Sequence, residues 1–313
     1  MSSFLLQYKG FIVNSSPWYK LLFVFFLVLL FFLFTGGIGL AAVMIIYKLD
    51  LQEVLTIMNN PGTPDIGIIR LLQVIQTIGL FIVPAGIASF FLGHRIVSYL
   101  KMDKKPSYIS IIVVIVSMVI WIPAINFIAG FNARLNLPES LDFIEEKIVT
   151  LQNNYNQLTN LFLNASSTTD FIANIAIMAM LPAIGEEMLF RGVFQRLFAE
   201  LTRNVHWGII ISSLLFSFFH FEFYGFLPRF LLGIMFGYLF AWTASIWIPM
   251  LAHFTNNAII VGYYFYVQPL TGPSRLDELG TTADLSLWGS IGGGIILSAL
   301  LFYLEKSHRI RNC

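Results

Sequence analysis

Residues 21–47 read LLFVFFLVLLFFLFTGGIGLAAVMIIY, a stretch without one charged side chain. No other feature limits the fold so strongly. A run of this length crosses a hydrocarbon layer of ~30 Å at ~1.5 Å per residue. Inside lipid the backbone must satisfy its own N–H and C=O groups, which a helix does. Seven further runs fall at about 67–93, 108–130, 171–196, 206–221, 226–243, 247–267 and 286–304, two of them short. The expected fold is all-α, a polytopic membrane helix bundle of about eight transmembrane helices. The first run is too long for a signal-peptide core and has no convincing cleavage site, so it is read as a retained span.

Composition narrows the function classes. Of 313 residues, 57% are hydrophobic and 11% charged, with 31 phenylalanines and a formal net charge of +1. No nucleic-acid partner is expected from that balance. Cys313 is the sole cysteine, which leaves no intrachain disulfide and makes thiol chemistry a poor candidate.

Lys and Arg are retained on the cytoplasmic side of a membrane protein. They cluster before span one (Lys9, Lys20), between spans two and three (Arg95, Lys101, Lys104, Lys105), between four and five (Arg196, Arg203) and at the end (Lys306, Arg309, Arg311). The alternate loops carry Asp50, Glu53 and Asp65, then Glu139, Asp142, Glu145 and Glu146, then Asp277, Glu278 and Asp284. Eight spans with both termini cytoplasmic satisfy this pattern, and a multi-pass protein of a bacterial plasma membrane is the expected setting. Arg70, near the outer end of span two, is expected to snorkel to the interface.

The chain divides into a three-span region (1–170), a core of spans four to seven (171–267), and an outer loop, last span and cytoplasmic tail (268–313). Within the first region, Leu141, Ile144, Ile148, Leu151, Tyr155, Leu158 and Phe162 recur at steps of three and four. That spacing predicts an outer amphipathic helix at about 138–163, packed on the outer mouth of the bundle or in the interface, with a gate or dimer seam as alternatives. Gly233, Gly237 and Ala241 stand four apart and form a packing ridge.

Against this apolar background, PAIGEEMLFRGVF (182–194) holds two adjacent glutamates and an arginine in span four. Ionisable side chains at that depth face the bundle interior or water. Glu187 and Arg191 are four apart and share a helix face, where they pair; Glu186 is rotated by roughly 100° and lacks that partner. Glu186 is therefore the candidate for general-base work. Pro182 and Gly185 interrupt the regular helix just before it. Span five ends FSFFHFEF, with His220 four residues after Phe216, and span seven reads AHFTNNA, with His253 and Asn257 four apart. Each histidine taken alone fits a helix-to-helix hydrogen bond. Together, a carboxylate, two imidazoles and an amide provide a base, a second proton-handling group and oxyanion donors, which is the chemistry of amide hydrolysis by water. Counting along the helices puts Glu186 and His253 ~10–15 Å from the cytoplasmic face and His220 near the other end of span five. The expectation is nonetheless that all three side chains meet in one cavity.

Glu186-Glu187-x-x-x-Arg191, Phe216-x-x-x-His220 and His253-x-x-x-Asn257, in that order on successive spans, resemble the three motifs of the CPBP family, which comprises CAAX-processing, bacteriocin-processing and abortive-infection proteases. The resemblance covers about residues 171–267. It implies an intramembrane endopeptidase in which Glu186 and His220 activate water, His253 and Asn257 stabilise the oxyanion, and Glu187 and Arg191 hold the site together. The substrates it implies are membrane-associated or lipidated peptides, or membrane proteins, in contact with the bilayer. Zinc held by His220, His253 and Glu186 is one possibility; the absence of an HExxH spacing favours metal-free activation instead, and no other cofactor is expected. A non-enzymatic immunity or scaffold protein is the alternative, and a proton-coupled transporter is less favoured because no internal repeat is present.

Overall fold

The computed structural model describes residues 12–59, 65–93, 95–134, 140, 142–163, 167–267 and 285–311. Lys9, Glu139, Leu141, Asp277, Glu278, Asp284 and Cys313 lie outside the described residues. Eleven helices make up the described fold: α1 (Pro17–Tyr47), α2 (Leu51–Asn59), α3 (Ile66–Leu92), α4 (Ile96–Tyr99), α5 (Tyr108–Asn132), α6 (Asp142–Leu163), α7 (Thr168–Thr202), α8 (Val205–Phe218), α9 (Phe226–Thr243), α10 (Trp247–Gly262) and α11 (Leu285–Arg311). No strand occurs among the described residues. The protein is a polytopic helical membrane bundle.

Five of these helices (α1, α3, α5, α7 and α9) are long and apolar enough to cross a membrane, and α8 and part of α11 are shorter apolar helices. The remaining predicted run lies in α10, which continues as a π-helical turn over Tyr263–Val267. Its His253, Asn256 and Asn257 lower its apolar character, which is why length and composition alone do not single it out.

Span four differs from its predicted boundary. α7 runs to Thr202 rather than stopping near residue 196. It continues because each polar residue of its last turns has a partner. Gln195 donates to the Gly237 carbonyl, Arg196 bonds the Tyr99 carbonyl and stacks on its ring, and Glu200 pairs with Lys20 at 2.7 Å. The extension places Glu186 ~24 Å from the end of α7, level with His220 just past α8, whose 14 residues rise ~21 Å. Ending span four too soon accounts for the predicted mismatch between Glu186 and His220, while His253 still lies ~9 Å into α10.

Three apolar clusters hold the bundle, the smallest joining α1, α2 and α3 through Val43, Val54 and Ile68. The largest joins α1, α3 and α7 through residues such as Val24, Ala88, Leu189, Phe190, Val193 and Phe194. The second joins α5, α9, α10 and α11 through Val114, Met118, Phe236, Ile248, Ala252 and Leu301. α8 lies between α9 and the end of α7. One end of the bundle gathers basic residues: the 100–105 loop gives its Lys101, Met102 and Lys104 carbonyls to Ile246 N, Trp247 Nε1 and Ser245 Oγ.

At the opposite end stands Arg70, for which an interfacial position was expected. It pairs with Asp170 at 2.9 Å and Asn174 at 3.1 Å, fixing α3 to the start of α7. Asn174 in turn donates to the Phe162 carbonyl, so the last turn of α6 is tied to the same point. α6 is described from Asp142 and buries Phe162 and Leu163 against the bundle; residues 138, 139 and 141 of the predicted helix lie outside the described residues.

Candidate active site

α7 is interrupted by π-helical turns at Ile175–Met180 and Phe190–Phe194, on either side of the two glutamates. Such turns occur often at functional sites because they re-aim side chains without ending the helix. Pro182 has no N–H for the Met178 carbonyl, its ordinary α-helical acceptor. That carbonyl accepts instead from Asn257 Nδ2 at 3.2 Å. Gly185 allows α7 to press on α3, where a Cβ would lie 3.0 Å from Phe81 Cβ.

The predicted ion pair is present: Arg191 Nη1 donates to Glu187 Oε1 at 3.0 Å, with both side chains buried. Arg191 Nη2 also reaches the Gly233 carbonyl at 3.2 Å, and the guanidinium lies over the rings of Phe216 and Phe236. A buried guanidinium is thus surrounded by a carboxylate, a backbone oxygen and two π faces, which together replace its water.

Glu187 has a further partner that helix geometry did not reveal. His253 Nδ1–H donates to the same Oε1 at 2.9 Å. The ring stacks on Phe236 with centroids 5.3 Å apart. His220 is fixed in the same sense, its Nδ1–H donating to the Phe216 carbonyl at 2.8 Å. Both histidines therefore present Nε2 to the site, at 3.8 Å (His220) and 3.9 Å (His253) from Glu186 Oε2. That oxygen is buried and has no hydrogen-bond partner among the described residues.

The structure brings Glu186, His220, His253 and Asn257 to one cavity of about 550 Å³, while Glu187 and Arg191 lie behind its wall. Most of the lining is apolar, including Met178, Leu158, Phe162, Leu232, Phe236 and Ile260. Polar residues not singled out in the sequence also line it. Asn256 donates from Nδ2 to Asn257 Oδ1 at 3.1 Å, which fixes the amide of its neighbour. Arg229 lies in the wall and pairs with Glu222, which also accepts from Gln152 of α6 at 3.0 Å. Buried Asn132 holds both ends of the turn after His220, donating to the Phe223 carbonyl at 2.8 Å and accepting from Leu227 N at 3.3 Å.

Glu186, the shared member of the possible zinc set, stands slightly farther from the two histidines than ligands on one ion do. Two zinc donors at ~2.0–2.1 Å in tetrahedral geometry lie ~3.4 Å apart. The distances of 3.8 and 3.9 Å here are wider. Among the described residues no three His, Cys, Asp or Glu side chains group to hold a metal ion.

Comparison with known proteins picks out the same segment. Residues 168–259 match the family described as type II CAAX prenyl endopeptidase Rce1-like, the grouping that the motifs resemble. Over 95 residues the chain is 36% identical to "Uncharacterized protein YpbD" of Bacillus subtilis (strain 168), an alignment covering 28% of this chain and 44% of that one. The chain thus spans less than half the length of that curated relative. No solved structure matches it.

Proposed function

From the match of residues 168–259 to the Rce1-like, type II CAAX prenyl endopeptidase family, we propose that the protein is an intramembrane endopeptidase acting on membrane-associated or lipidated peptides, with residues 171–267 as its catalytic core. The observation that carries this reading is the convergence of the unpartnered Glu186 Oε2 with Nε2 of both histidines, at 3.8 and 3.9 Å, in a largely apolar cavity. These gaps are about 1 Å longer than direct hydrogen bonds and suit a water oxygen bound among all three groups.

In the proposed reaction, Glu186 takes a proton from that water as its oxygen bonds to the scissile carbonyl carbon. His220 Nε2, its ring fixed through Nδ1–H, accepts the second water hydrogen as a hydrogen bond and orients the attack. The carbonyl π pair moves to oxygen, giving a tetrahedral oxyanion. Asn257 has one N–H engaged with Met178 and a second free in direction to meet that oxyanion. His253, its ring held through Nδ1–H by the Glu187 carboxylate, donates to the same oxygen when Nε2 also carries a proton. Collapse reforms the carbonyl and breaks the C–N bond, and the departing amine takes the proton held by Glu186. One water and the side chains of this protein supply every step.

Comparison of protein N-termini in host membranes carrying the wild-type chain or Glu186→Gln at matched expression tests the reading. New N-termini confined to the wild type are expected. Their absence under several growth conditions would instead favour an immunity or scaffold role.

A further inference from the structure

The two ends of the bundle differ in charge, and the cavity belongs to only one of them. Lys20, Arg95, Lys101, Lys104, Lys105, Arg196 and Arg203 gather at one end, where they outnumber Asp103 and Glu200. The loop contacts between residues 100–105 and 245–247 and the Lys20–Glu200 pair show that these residues share one end of the fold. Asp50, Glu53, Asp65, Glu145, Glu146, Asp170 and Glu222 lie at the other, against Lys48, Arg70, Arg134, Lys147 and Arg229.

The cavity walls come from the acid-rich half. Ile69 and Gln73 stand in the first turns of α3, Ala129 in the last turn of α5, Pro228 at the start of α9, and Leu158 and Phe162 on α6. Toward the basic end, the continuation of α7 beyond Glu186 is closed: Phe190, Val193, Phe194 and Leu197 are at most 1% exposed. The catalytic groups thus form the floor of a cavity whose walls rise toward the acid-rich end, with the apolar face of α6 at its rim.

Lys and Arg in short loops mark the cytoplasmic side. We infer that the site is reached from the extracytoplasmic side, and that its substrates are apolar peptide segments presented from that leaflet across the α6 rim rather than from the cytoplasmic face. The substrate half of this inference rests on the endopeptidase reading; the direction of opening does not.

Single cysteines in a Cys313→Ser background separate the two. Thr150→Cys marks the exposed face of α6, Thr159→Cys the cavity wall, and Asp103→Cys the basic end. A membrane-impermeant maleimide added to right-side-out vesicles is expected to label Thr150→Cys and Thr159→Cys and to spare Asp103→Cys, with the pattern reversed in inside-out vesicles. The opposite pattern overturns the inferred direction. Failure of Thr159→Cys to label from the side that labels Thr150→Cys overturns the opening. An N-palmitoylated, internally quenched apolar peptide added to the same vesicles carrying the otherwise wild-type chain is expected to be cleaved at least tenfold faster in the right-side-out preparation. Faster cleavage in inside-out vesicles overturns the substrate assignment. Cleavage in neither, with the expected labelling, overturns the endopeptidase reading and leaves the opening intact.

Discussion

Glu187 serves two buried groups through a single oxygen, Arg191 at 3.0 Å and His253 at 2.9 Å. Its removal leaves a guanidinium and an imidazole N–H without their shared acceptor, a loss that typically costs ~3–5 kcal/mol in a buried setting. Glu187→Ala is therefore expected to lower the thermal unfolding midpoint in detergent sharply and to reduce the yield of folded protein. Glu186 has the contrary profile. Its Oε2 makes no hydrogen bond among the described residues, so Glu186→Gln removes a buried carboxylate without removing a fold contact at that oxygen. Turnover of the palmitoylated peptide by that variant is expected to fall ~10²–10⁴-fold, while its unfolding midpoint stays at or above that of the wild type. Equal turnover in the two proteins would remove Glu186 from the role of base. Incubation with a zinc chelator is expected to leave wild-type turnover unchanged, and a loss restored by added zinc would overturn the metal-free route.

The ionisable members of this site stood out in the sequence because charge is rare in an apolar span. Its other members did not. Phe236 stacks on His253 and lies under Arg191, yet one aromatic ring cannot be distinguished among 31 phenylalanines, whereas Phe216 was marked by its spacing to His220. Asn256 fixes the amide beside it, but the spacing of four from His253 pointed to Asn257 alone. At the level of helices, hydrophobic runs located the spans, whereas the end of α7 depended on partners for Gln195, Arg196 and Glu200 that come from distant segments. Pro182 was legible as an interruption; its consequence, a carbonyl at Met178 left to Asn257, required α10 beside α7. Pro182→Ala restores an N–H that can compete for that carbonyl. Lower turnover with an unchanged or raised unfolding midpoint is expected, and normal turnover would show that the Asn257 contact does not orient the amide.

The molecule as a whole extends the site beyond the segment that carries the motifs. Residues 168–259 match the family, but Ile69, Gln73, Ile125, Ala129, Leu158 and Phe162 complete the cavity from outside that segment. Asn132, also outside it, holds the turn that follows His220. Expression of residues 168–267 alone is expected to give no cleavage and no cooperative unfolding transition, and an active fragment would reduce the first three spans to an anchor. The amphipathic stripe of α6 was visible as a helix needing cover; its C-terminal end, Leu158 and Phe162, lines the candidate cavity, while Leu151 stays 58% exposed. The ridge glycines of α9 hold a last consequence. Gly233 and Gly237 bring backbone oxygens, one helical turn apart, to Arg191 and Gln195. No side chain can be deleted to remove those oxygens, so alanine scanning along α9 would sense this anchorage only through steric damage, such as a Cβ at Gly233 lying 2.9 Å from Ser213 Cβ. A map of tolerated substitutions would then record a packing constraint where the fold also has an electrostatic one, and replacing the amide linkage after Gly233 with an ester, which weakens the carbonyl as an acceptor, would separate them.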